Sequence, residues 1–320
     1  AAFPMIANTD DHEGANDAWE GGAENHQPDE GDWTNRKNAA MQVWREWMPV
    51  SEQPWKSYDI GDLATYFRTD TRMVARSRPA SYGTILRSGD PAAALSAFRD
   101  GVWQDPAATM LGTEQENWLY HGFRAASRQK KTWHVLGVGT NIGYNSTPPD
   151  ALDWLDPKAD VRANAYFRAG IAAGKAGLPY NLDNWGGYPQ AKSRLLRAAQ
   201  ATDANLVAVT GDSHNAWAFD LIDGDREVGV EFGGHSVTSP GIESATRAED
   251  KEKVAKALVA NSKELRWTDT SNRGYMHVSL TPAAATCEWI FMDTVKMVST
   301  ATKAGHRMKV RPGRKMLESA

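Results

Sequence analysis

Residues 204–217 read "ANLVAVTGDSHNAW": a continuous apolar run that ends in a polar loop holding Asp212 and His214 two positions apart. An apolar run with no polar alternation is expected of a strand covered on both faces. The arrangement recurs at 229–241, "GVEFGGHSVTSPG", where His235 follows a glycine pair. It is met again at 3–13, where "FPMIA" reads as a short buried strand and "NTDDHE" as the loop beyond it. "TWHVLGVG" at 132–139 reads as a further buried strand. Helical stretches separate most of these runs, and buried strands alternating with helices predict an α/β fold with covered sheets.

The helices declare themselves by periodicity and punctuation. In "DWTNRKNAAMQVWREWM" (32–48), Met41, Trp44 and Met48 share one face, and Pro49 ends the helix. "GDPAAALSAFRDG" reads as a short helix with Gly101 past its end, and "LGTEQENWLYHGFRAAS" as a longer one with Thr113 and Glu116 spaced as a capping box. "SYDIGDLATYFRTDTR" reads as two strands about a Gly61-Asp62 turn. Residues 143–180 are rich in Gly, Pro and Asp around one helix, from about 162 to 175, and read as an insertion or lid. Later come a helix at "KEKVAKALVANS" and strands near Tyr275–Leu280 and Cys287–Met292. The basic tail, 294–320, reads as a strand or helix packed on the body. No repeat or long linker divides the chain, so a single domain over 1–320 is expected.

Bulk properties narrow the function. The 320 residues carry a formal charge of −4 with basic residues dispersed, which argues against a nucleic-acid surface. No apolar stretch approaches the roughly 20 residues of a membrane span, and no signal peptide is visible. The one cysteine, Cys287, sits in an apolar strand and reads as an inert buried thiol.

The chemistry concentrates in three strand-end loops: "TDDHE" (9–13), "TGDSHN" (210–215) and "GGHS" (233–236). Sites in α/β sheets gather beyond the carboxyl ends of strands. Carboxylate and imidazole on neighbouring loop positions can aim at one point and suit a hard or borderline cation. From the residues alone, Asp11 and His12 could equally cap a turn, and Asp212 could accept loop N–H groups. His235 reads as a hydrogen-bonded core histidine. Asn16 and Asn215 read as loop braces. "Gly211-Asp212-Ser213" also opens a GDS-type serine hydrolase signature, with Ser213 as nucleophile, though the position of the motif in the chain does not match that class.

Taken together, "DDHEGANDAWEGGAENHQP", "REWMPV", "LGTEQENWL", "PYNLDNWGGYP", "GDSHNAWAFDL", "EFGGHSVTSPG" and "DTVKMVSTATKAGHRM" resemble the PhoD-like alkaline phosphatases of the calcineurin-like metallophosphoesterase superfamily. The likeness covers nearly all of residues 3–310. It implies an αββα sandwich of mixed sheets and a two-metal site that hydrolyses phosphate esters. Asp11, Asp212 and His214 fall at metal-ligand positions, and His12 falls at the position that contacts phosphate and protonates the leaving oxygen. Glu13 is expected to orient His12, with Asn16, Asn215 and His235 close by. Iron plus calcium is the implied metal set in some members, other divalent pairs in others, and the periplasm is the implied compartment.

The resemblance also implies that the family's first strands, with further ligands, are absent from these residues. The chain is then either truncated or completed by an N-terminal fragment or partner chain, and a non-catalytic, partner-dependent remnant is the competing expectation. Thr9 stands where the family usually has Trp, and Val138 and Gly139 stand where it usually has two glutamines.

Overall fold

The computed structural model describes residues 4–48, 50–87 and 89–320. Pro49, expected to end the first helix, lies outside them. In chain order the helices are α1 (Trp33–Trp47), α2 (Tyr82–Ile85), α3 (Pro91–Asp100), α4 (Gly112–Arg128), α5 (Val161–Lys175), α6 (Pro189–Ala201) and α7 (Lys251–Ala260). The strands are β1 (Lys56–Ile60), β2 (Ala64–Arg68), β3 (Trp133–Gly137), β4 (Leu206–Thr210), β5 (Ala216–Asp223), β6 (Arg226–Gly233), β7 (Leu265–Asp269), β8 (Gly274–Leu280), β9 (Ala285–Met292), β10 (Thr302–Val310) and β11 (Glu318–Ser319).

Two sheets form, of order β1-β2-β3-β4-β6-β5-β7 and β11-β10-β9-β8. In the larger one, β2, β3, β4 and β6 run parallel. Their carboxyl ends, Arg68, Gly137, Thr210 and Gly233, therefore meet along one edge, and the loops that leave them share one surface. Side-chain alternation builds the layers. Phe67, Leu136, Ala208, Phe219 and Val228 face α4, α6 and α7 in one core. Ala64, Trp133, Val135, Val207, Val230 and Phe232 face the smaller sheet in a second, where they meet Cys287, Trp289 and Met308. The result is an α/β sandwich in which a mixed seven-stranded sheet packs on an antiparallel four-stranded one. The smaller sheet's outer face is open along β8, where Tyr275, His277 and Ser279 are exposed.

Local chemistry explains the helix ends. Asp32 caps α1 by accepting from Asn35 N–H, and Asp90 caps α3 from Ala92 and Ala93. The capping box expected at Thr113 is displaced. Thr109, in the preceding turn, accepts from Gly112 N–H and donates to Glu116. The expected strand at "FPMIA" does not form over the described residues 4–7. No neighbouring strand pairs with them, Met5 and Ile6 are exposed, and the segment is held by Arg68 Nη1 donating to Ala7 O at 3.3 Å. The 143–180 segment is anchored in the body: Trp154, Phe167 and Ile171 join the helix-side core, and Tyr144 N–H donates to Glu264. The tail enters as β10 and β11, with Met308, Val310 and Leu317 filling the space between the sheets.

His134 on β3 ties the fold to pH. It is 1% exposed, Nε2 donates to Phe123 O, and Nδ1 is buried without a partner. Protonating Nδ1 would bury an unpaired charge, so burial lowers the pKa from 6.5 to about 4. The unfolded chain then binds the extra proton first. Stability is full above about pH 6.5 and falls as pH drops towards 4, by up to about 3 kcal/mol. Urea denaturation at pH 7 and pH 4.5 is expected to show a loss that shrinks in His134→Gln. An equal loss in both proteins would refute this assignment.

Candidate metal centre

The 9–17 loop and the 211–215 loop meet over the carboxyl edge of the larger sheet. They border an open groove of about 840 Å³ lined by Asp10, Asp11, His12, Glu13, Asp212 and His214. His235 and Gly234, at the end of β6, complete one wall. Carboxylate oxygens of Asp10, Asp11 and Asp212 all lie within 4.8 Å of one another.

Each loop is shaped to project these groups. Asp11 begins a turn in which its carbonyl accepts from Gly14 and Ala15 N–H, while its Oδ2 accepts from Asp17 N–H at 2.9 Å. In the second loop, Asp212 and His214 adopt φ of 67° and 60°, left-handed conformations that cost energy for residues with a Cβ. Bracing offsets that cost. Asn215 donates to Ser213 O and accepts from Ile242 N–H, and buried Arg273 donates to His214 O. At the base of the second loop, the fully buried Glu231 carboxylate accepts from Asn141 Nδ2, Thr210 Oγ1, Ile142 N–H and Gly143 N–H at 2.6–3.0 Å. It thereby ties the end of β4 to the loop leaving β3.

The centre of charge is a residue that the motifs do not name. Arg72, with no exposed side-chain surface, pairs with Asp10 at 2.8 Å and Asp183 at 2.9 Å and lies 3.7 Å from Asp212. Arg76 also grips Asp183, at 2.7 Å. The loop carrying both arginines is held by Asp70, whose Oδ1 accepts from Arg72, Met73 and Val74 N–H. A two-way amide clamp between Asp70 and Gln115 fixes it further. Burial raises the Asp212 pKa well above the usual range, with Asp10 adding to the shift and Arg72 opposing it. Burial also raises Asp10, Arg72 again opposing. Acidic charge is crowded here beyond what two guanidinium groups neutralise.

Asp11, Asp212 and His214 line one groove, as the sequence reading requires, but the tight carboxylate cluster takes Asp10 in place of His214. His214 Nδ1 lies 2.8 Å from Pro240 O. A carbonyl only accepts, so Nδ1 carries the proton and Nε2 keeps its lone pair. The His12 side chain is 76% exposed at the groove mouth, its Nε2 3.8 Å from Asp11 Oδ2. Glu13 does not orient His12: its carboxylate accepts from Asp10 N–H at 2.7 Å and closes the loop, so Asp11 is the carboxylate beside the imidazole. Asn16 donates to Glu24 as a loop brace. His235 Nε2 donates to Ile290 O, and its ring packs on Phe291. Ser213 faces away from the groove, and its Oγ accepts from Trp217 Nε1 at 2.6 Å. Among the described residues no histidine reaches that hydroxyl, so nothing activates it as a nucleophile.

Gly139, where the resemblance leads to the expectation of a glutamine, sits in close quarters. A Cβ there would come within 3.0 Å of Asp10 Oδ1 and Thr71 Oγ1. The missed residues had a weak signal: "TDTR" leaves the parallel strand β2 just as the loops at 210–215 and 233–236 leave β4 and β6, but carries no histidine.

Comparison with known proteins agrees with this architecture. The chain is 26% identical over 302 aligned residues to alkaline phosphatase D of Bacillus subtilis (strain 168), covering 88% of this chain and 43% of that protein. A solved structure titled "Structure of PhoD" superposes with a TM-score of 0.68 at 22% identity, over 100% of this chain and 55% of the other. The chain thus spans about half the length of these relatives. The model of the PhoD-like phosphatase family matches residues 1–289, and the chain belongs to that family.

Proposed function

We propose that this chain carries the catalytic groove of a metal-dependent phosphoric-ester hydrolase. The observation that carries the reading is the convergence of Asp10, Asp11 and Asp212 within 4.8 Å in a groove shared with His12 and His214. The donor set fits the cations that the family implies. Carboxylate oxygens and one imidazole suit hard or borderline ions, and the His214 tautomer leaves Nε2 free to bind one. A cation held there supplies Lewis acidity to the phosphoryl group.

The chain's own residues do the rest. Asp10, Asp11, Asp212 and His214 hold the cations, and Arg72 fixes Asp10 and Asp212 against recoil. His12, exposed at the mouth beside Asp11, delivers a proton to the departing ester oxygen. His235 shapes the wall. Four donors are few for two cations, so the reading assigns the remaining positions to water, substrate or polypeptide beyond these residues, such as an N-terminal fragment or partner chain. Iron with calcium, and a compartment outside the cytoplasm, belong to this reading on family grounds. Among the described residues, no helix is long and apolar enough to cross a membrane.

The test is hydrolysis of p-nitrophenyl phosphate and bis-p-nitrophenyl phosphate, with metal content measured on the same samples. Chelation is expected to abolish turnover, and added divalent ions to restore it. His12→Ala is expected to lose about 10²–10³-fold in turnover while keeping its metal. Turnover indifferent to chelators would overturn the reading, and an unchanged rate in His12→Ala would remove the proton-donor role.

A further inference from the structure

Side chains on the 211–215 loop alternate between two cavities. Asp212 and His214 line the acidic groove, whereas Ser213 and Asn215 line a separate pocket of about 130 Å³. Its remaining wall is built from the carboxamides of Asn141, Asn145, Asn181 and Asn184 and the rings of Tyr166 and Tyr180. Among the described residues, no charged side chain lines it.

Much of this polar wall is uncommitted. Asn141 Nδ2 is spent on Thr210 and Glu231. The side-chain oxygens of Asn181 and Asn184 hold Asp183 N–H and Gly186 N–H. Among the described residues, Nδ2 of Asn181 and Nδ2 of Asn184 make no hydrogen bond, nor does either end of the Asn145 carboxamide, although Asn145 is only 5% exposed and Asn184 only 8%. These open donors and acceptors face the pocket, where water or a ligand that displaces it can pair with them. The pocket has room for about four waters at ~30 Å³ each, or for a ligand that replaces them.

The wall defines that ligand. With no arginine or lysine, it offers no counter-charge to a phosphate; with no carboxylate, none to an ammonium group. Carboxamides both donate and accept, as vicinal hydroxyls do. Tyr166 and Tyr180 meet edge to face with centroids 5.4 Å apart, and Trp217 stacks on Phe219 at 5.8 Å, which provides apolar ring surface for C–H groups. We propose that this pocket binds an uncharged, hydroxyl-rich group about the size of a pentose. Its source is either a free sugar or the alcohol portion of a phosphate ester. The second source rests on the hydrolase reading; the binding itself does not.

Saturation-transfer NMR with D-ribose, ribose 5-phosphate and cyclopentanol tests this without reference to turnover. Ribose is expected to bind saturably and cyclopentanol not at all. Asn145→Leu removes a donor and an acceptor at similar volume, and is expected to weaken ribose binding about tenfold. Tyr180→Phe keeps the ring, and is expected to weaken it less; this variant decides the matter if Asn145→Leu fails to fold by circular dichroism. Tighter binding of ribose 5-phosphate, competed by inorganic phosphate, assigns the pocket to the ester's alcohol. Equal binding of the two assigns it to a free sugar. No saturable ribose signal, equal binding of cyclopentanol, or undiminished affinity in both variants would overturn the proposal.

Discussion

Asp212→Asn is expected to lower phosphate-ester hydrolysis by about 10²–10³-fold and, without added metal, to raise thermal stability. The two signs come from one cause. Asp212 is the carboxylate that the second loop contributes to the cluster with Asp10 and Asp11. If that cluster holds cations, removing one anionic ligand forfeits several kcal/mol of charge stabilisation in the transition state, and each 1.36 kcal/mol is about tenfold in rate. In the metal-free protein the same charge is a burden: it is only partly exposed, it faces Asp10 and Asp11, and desolvation pushes its pKa well upward. An isosteric amide removes the repulsion and keeps the shape, so the metal-free melting temperature should rise while cation affinity falls. Thermal melts with and without divalent ions, read beside turnover, check both signs. An unchanged cation affinity would show that the cluster is not the metal centre.

Glu231→Ala is expected to destabilise the fold by roughly 4 kcal/mol. Glu231 is 0% exposed, and its two oxygens take four hydrogen bonds. Burial pushes its pKa up and those four donors oppose the shift, so the network works as an anion seated in a ring of dipoles. Truncation leaves Ile142 and Gly143 N–H in a dry interior with no acceptor, while Asn141 and Thr210 retain only each other at 3.0 Å. Glu231→Gln should lose about half as much, because one oxygen can still serve the two backbone groups. Urea denaturation measures both. A loss under about 1 kcal/mol for the alanine variant would mean that water replaces the carboxylate and that the network does not hold the loops.

Most of the architecture was legible because burial writes itself into strands as unbroken apolar runs. "LVAVT" and "WHVLG" sit where such runs must, covered on both faces. "FPMIA" is also apolar, yet its described residues 4–7 form no strand, since an apolar run says nothing about whether a partner strand lies beside it. The site divides in a similar way. Loops that pair aspartate with histidine advertise a cation by residue type. Arg72 carries no such mark: a lone arginine in "TDTR" looks solvated, and only the meeting of four distant segments makes it the pivot of Asp10, Asp183 and Asp212. Glu231 is equally mute, an acid set among the apolar residues of β6 whose partners come from residues 141–143 and 210. Two local roles also differ from expectation: Thr113 as cap, read from spacing, and Glu13 as imidazole brace, implied by the resemblance. Thr109 instead takes Gly112 N–H and engages the Glu116 carboxylate, and Asp11 instead lies beside the His12 ring.

Cys287 is the one thiol of the chain, sealed between the two sheets with no exposed surface and its pKa raised by burial. An alkylating reagent therefore cannot react until the layers come apart. Labelling at this position becomes a single-site clock for sheet separation, readable by mass shift and needing no engineered probe.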